Sequence, residues 1–186
     1  MKILLSTSLL LSFLLILSSV SSYAQNVPAD SISSMLIKDW ERAKAYTQEY
    51  MNAMPADKYS FRATDSVRTF AQQLLHLAQA NMFFLSTATG EKPTYAGPDL
   101  EKSSTAQAAD SVKYYVNASY DYAINSVKKL APASLFQNAT LSMRQSMTAM
   151  RLVWILKGFE HQTHHRGQTT IYLRLAGVRP PAERLF

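Results

Sequence analysis

The chain contains no cysteine. That excludes disulfides, thiolate metal sites, iron–sulfur clusters, a cysteine nucleophile and a cysteine-linked lipid anchor. Glycine and proline are scarce, 5 and 7 of 186 residues. They are too few for an all-β chain with a turn every ten or so residues. Charge of one sign is not concentrated either. Lysine and arginine number 19 against 13 acidic residues, a mild net charge of +6. They are scattered along the chain, so no nucleic-acid partner is expected. Internal repeats and low-complexity tracts are absent as well. What remains is 47% hydrophobic and 17% charged, the composition of one ordinary domain with ample material for a core.

One long apolar run exists, at the N-terminus. Met1–Lys2 gives a positive start, Ile3–Leu17 is almost wholly Leu, Ile, Phe and Ser, and Ser22 and Ala24 stand at the −3 and −1 places of a cleavage site. Residues 1–24 therefore read as a secretory signal peptide cut before Gln25. The apolar stretch is shorter than the roughly 20 residues that span a bilayer, so no stable membrane anchor is expected after cleavage. Residues 25–186 are expected to form a single exported domain, periplasmic or extracellular. An oxidising exterior is compatible with a chain free of cysteine.

The prolines at 28, 55, 93, 98, 132, 180 and 181 divide this domain. A first helix is predicted over 34–54, where Leu36, Trp40, Ala43, Tyr46, Tyr50 and Met54 recur every three or four residues. A second begins at Thr69, which forms a capping box with Gln72, and runs through Leu85. Residues 86–103 hold Gly90, Pro93, Gly97 and Pro98 and read as a long loop that covers a site. A third helix is predicted from Ser104, boxed with Gln107, to Leu130 along Ala109, Val112, Val116, Ser119, Ala123 and Val127. The last is predicted from Ser142 to Ala176, with Gly177 at its C-terminal cap and a bend near Gly158 or Gly167. Four amphipathic helices with almost no strand signal imply an all-α four-helix bundle.

Four histidines carry the chemistry: His76, His161, His164 and His165. On a helix His161 and His165 sit one turn apart and about 40° apart around the axis. Such a pair can turn two imidazoles toward one cation. Lys157, Gln168 and Tyr172 fall on the same strip. His164 is also a neighbour of His161, three residues on, and spacing alone leaves it in play. His76, in mid-helix, is the histidine that another helix can supply. Glu160 points about 100° from His161 and reads as solvated surface. Arg166 is expected to meet a nearby carboxylate, and Gly167 to allow close helix approach. Tyr114, Tyr115, Tyr120 and Tyr122 read as core and interface.

The stretch Phe159–Gly177 with its His-x-x-x-His-Arg-Gly-Gln core, followed by Pro180–Pro181, resembles the C-terminal signature of the DinB/YfiT-like family. Phe70–Asn81 resembles the second helix of that family, and Met54–Thr64 the connection before it. The resemblance spans the whole chain after residue 24. It implies a four-helix bundle holding a divalent metal, usually zinc or nickel, on three histidines, here His76, His161 and His165. His164 and Gln168 would then be neighbours that steady the ligands. Three neutral imidazoles leave a position open, the pattern of catalytic zinc, where a bound water or a substrate thiol would be activated. Members of the family include thiol-dependent S-transferases and a maleylpyruvate isomerase. The expected function is thus an exported metal-dependent enzyme of transferase or hydrolase type acting on a small molecule or thiol. The alternatives are a non-catalytic metal- or ligand-binding bundle and a bundle with purely structural histidines. Catalytic residues, substrate and a homodimeric state are left open.

Overall fold

The computed structural model describes residues 27–95, 99–142 and 145–186. The expected signal peptide and its cleavage junction lie outside them. Four helices dominate: α1 (Ala29–Ala53), α2 (Phe70–Thr89), α3 (Ala109–Lys129) and α4 (Arg151–Leu175). α2 packs along both α3 and α4, and α1 closes the bundle against α3 and α4. The stripes foreseen on α1 and α3 are the buried ones. Leu36, Trp40, Ala43, Tyr46, Tyr50 and Met54 face inward from α1, and Val112, Val116, Ala123 and Val127 from α3. Among the described residues no helix is long and apolar enough to cross a membrane.

Helix ends follow local chemistry. α1 stops where Met54, placed before Pro55, is pushed into an extended conformation. At the start of α2 Thr69 and Gln72 form the predicted box, the backbone N–H groups of each donating to the other's side-chain oxygen at 2.9 and 3.1 Å. α2 continues four residues past the predicted loop boundary at 86. Thr87 and Thr89 hydroxyls donate to carbonyls one turn back, and Gly90 caps the helix at φ 77°. α4 ends in a Schellman turn, with Val178 N–H on Leu173 O, Gly177 N–H on Arg174 O and Gly177 at φ 78°.

Two boundaries differ from expectation. The Ser104–Gln107 box does not start α3, which begins at Ala109; the Gln107 amide donates instead to the Glu101 carbonyl at 2.8 Å. Nor does α4 start at Ser142. Asn138–Leu141 (β1) and Met147–Met150 (β2) form an antiparallel hairpin in which Ala139 faces Ala149 and Thr140 faces Thr148. Trp154 Nε1 donates to Ala139 O at 3.1 Å and fastens this hairpin to α4.

The antiparallel pair α2–α4 positions the site. A Cβ placed on Gly158 would lie 2.9 Å from Phe84 Cβ, so the absent side chain is what lets the two helices approach. The close contact comes from Gly158. Gly167, the residue expected to provide it, has open space where its Cβ would be.

Candidate metal centre

Starting from the Gly158–Phe84 contact, the next two turns of α4 carry His161 and His165 past His76 on α2. The ring centroids lie 5.1 Å apart for His76–His161, 4.6 Å for His76–His165 and 4.4 Å for His161–His165. One nitrogen from each of the three lies within 4.8 Å of the others. Two nitrogens on one zinc ion, each at about 2.1 Å, are at most about 4.2 Å apart. Small side-chain rotations therefore separate the present arrangement from a coordinating one.

Each imidazole has a distinct partner. His76 Nδ1–H donates to Glu101 Oε1 at 2.6 Å, which leaves Nε2 of His76 as its lone-pair nitrogen. The other oxygen of Glu101 accepts from Arg68 Nε at 2.5 Å. The backbone of Glu101 is itself held: its carbonyl accepts from Gln72 and Gln107, and its N–H donates to Asp99. His165 Nδ1–H donates to Gln73 Oε1 at 2.7 Å, again freeing Nε2. His161 Nδ1 is buried with no hydrogen-bond partner. A buried ring nitrogen that exchanges nothing for its lost hydration is costly, and a cation in the cluster would offset that cost.

Electrostatics points the same way. Burial, reinforced by the neighbouring histidines and Arg68, pushes the imidazole of His161 down to about 4 and that of His165 down to about 3. Both are neutral at pH 7, the protonation state in which imidazole binds metal. The donor set is all nitrogen, suited to zinc, nickel or copper rather than to magnesium or calcium. The residues present therefore fit a divalent transition-metal ion.

His164 stands apart from this trio. Its ring touches that of His165 edge-on at 4.9 Å, but it is exposed and its Nε2 accepts from Gln168 Nε2 at 2.7 Å. The expectation that Gln168 steadies a ligand histidine is corrected accordingly. Helical side chains lean toward the preceding turn, so the Gln168 amide reaches back to position 164. Arg166 meets no carboxylate; it is buried, donates to Gln162 Oε1 at 2.9 Å and lies 4.6 Å from the Tyr46 ring centre. Glu160 is exposed, as foreseen, and pairs with Lys157 at 2.7 Å. Tyr120 and Tyr122 are buried, whereas Tyr114 is exposed. The groups that sequence reasoning missed are Glu101 and Gln73. Gln73 stands three residues before His76, on the same face of α2, and that spacing was a usable signal. Glu101 sits in the connection before α3, on a 3₁₀ turn over Leu100–Lys102, where no periodicity marks it.

The family model described as DinB family matches residues 26–184. Among solved structures, a DinB-like protein from Bacillus cereus superposes with a TM-score of 0.66 at 15% identity, covering 80% of this chain and 95% of that one. A DinB-like protein from Bacillus subtilis gives 0.60 at 14% identity, with coverages of 82% and 96%. No curated protein matches the chain.

Proposed function

The chain belongs to the DinB family, and from that premise we propose that it is an exported metal-dependent enzyme of transferase or hydrolase type acting on a small molecule or thiol. His76, His161 and His165 would hold a divalent ion, zinc or nickel. When bound, such an ion supplies Lewis-acid chemistry, polarising an oxygen or sulfur of the substrate. The residues of the chain have separable tasks. Glu101 and Gln73 hold the Nδ1 protons of His76 and His165 and so orient their Nε2 lone pairs. Phe84, its ring 5.7 Å from that of His161, excludes water from one side.

The observation that carries this reading is the trio itself: three histidines from two helices, nitrogens within 4.8 Å, two of them kept neutral by burial. A binding role without turnover is the second reading. It is favoured by the commitment of Glu101 to His76 and Arg68, which leaves that carboxylate with no free oxygen to act as a base.

Metal analysis of protein purified without a histidine tag tests the proposal. One equivalent of metal is expected, lost in His76→Ala, His161→Ala and His165→Ala and retained in His164→Ala. Metal-free protein after zinc or nickel supplementation, or equal loss in all four variants, would overturn the ligand assignment.

A further inference from the structure

A groove of about 560 Å³ opens beside the histidines, between α4 and the β1–β2 hairpin. Phe84, Ala149, Val153 and Trp154 line it, and His161 closes one end. The same His161 and Phe84 also border a second cleft of about 490 Å³, which contains His76 and Glu101. The groove and the cleft that contains His76 thus adjoin across a shared wall, Phe84 and His161.

Its chemistry is specific. Trp154 Nε1 is already bonded to Ala139 O, so the indole presents carbon to the groove. At the rim Lys157 and Glu160 pair with each other at 2.7 Å and neutralise each other's charge. Among the described residues that line the groove an ionic arm finds no unpaired carboxylate, lysine or arginine, whereas alkyl or aryl surface meets four apolar walls. Pockets of this size and lining are where small ligands bury apolar groups.

We infer that this groove selects substrates built as an apolar, uncharged alkyl or aryl arm joined to a metal-seeking head, with the arm along Val153 and Trp154 and the head at the histidines. The inference rests on the metal reading above and adds the substrate class to it.

Zinc-loaded protein titrated with straight-chain alkyl hydroxamates, from acetyl to hexanoyl, tests it. Binding is read by calorimetry and by Trp154 fluorescence, because Trp154 lines the groove and the other tryptophan, Trp40, does not. Affinity should rise about fourfold per added methylene, the increment for burying one CH₂. Val153→Phe, which narrows the groove, should flatten that increment while leaving metal content unchanged. Thr148→Phe, at a hairpin position that also lines the groove, gives the same test without disturbing α4 or adding another tryptophan. Chelated protein separates the two layers of the argument. Metal-dependent binding with no chain-length increment would overturn the groove and leave the metal reading standing. A chain-length increment that is indifferent to chelation would overturn the metal reading, and with it the assignment of the head.

Discussion

Replacing Glu101 by glutamine keeps the shape of the side chain and an acceptor for His76 Nδ1–H, removes the negative charge, and turns the oxygen that faces Arg68 Nε–H into an amide NH₂. In the folded chain that charge sits 2.6 Å from His76 Nδ1 and 2.5 Å from Arg68 Nε. A carboxylate on the far nitrogen raises the basicity of a ligating imidazole and fixes its ring, and losing it typically weakens metal affinity 10- to 100-fold. That corresponds to about 1.4–2.7 kcal/mol. Fold stability should change less, because the Arg68 side chain is 40% exposed and ion pairs of that kind contribute at most about 1 kcal/mol. Glu101→Ala should lose more than Glu101→Gln, since it also frees the ring to rotate, yet less than His76→Ala, which deletes a ligand. The assay is competition for zinc against a chromophoric chelator, alongside urea unfolding of the chelated variants. Zinc affinity of Glu101→Gln within twofold of wild type, or a loss as large as that of His76→Ala, would refute the reasoning.

The remaining expectations follow from other parts of the structure. Gly158→Val should cost about 1–3 kcal/mol in urea unfolding, because its side chain meets Phe84 Cβ; adding Phe84→Ala, which keeps that Cβ, should recover little of it, and no loss would mean the helices are not pinned there. Chelation should leave the bundle helical and cooperatively unfolding by circular dichroism, with the melting temperature lowered only by the lost linkage of metal to the native state; a coil spectrum after chelation would make the metal structural. The chelated protein should lose stability as pH falls from about 6.5, since the unfolded chain takes up protons there that His161 and His165, lowered to about 4 and about 3, refuse in the fold; a melting temperature that holds or rises between pH 7 and 5 would contradict this. Intact mass from the native envelope should start at Gln25, and a chain retaining Met1 would end the export proposal.

The readability of this sequence varied with the range of the physics involved. The α1 stripe from Leu36 to Met54, the Thr69–Gln72 box and the Gly177 cap are local patterns, and the structure realises each. The Ser104–Gln107 pair had the same local form, but the Gln107 amide is drawn to the Glu101 carbonyl from outside its own segment. The β1–β2 hairpin has only four residues per strand and depends on Trp154 for its anchorage. It therefore offered no pattern long enough to read. Gly158 and Gly167 are indistinguishable in sequence, and only the crossing of α4 over Phe84 separates them. At the candidate site the histidines were visible by type and spacing. Glu101 was not, because its place is set by a turn and five hydrogen-bonding neighbours.

The bond between His165 and Gln73 joins positions 92 residues apart. Before α2 docks on α4 only two of the three clustered histidines, His161 and His165, are near each other, and closing so long a loop is entropically slow. Capture of an ion at all three histidines would therefore be a late event, following chain assembly rather than guiding it. Were the chain exported unfolded, as proposed, the consequence would be geographical: the ion that occupies the finished bundle would be drawn from the compartment where folding is completed, not from the one where the chain was made.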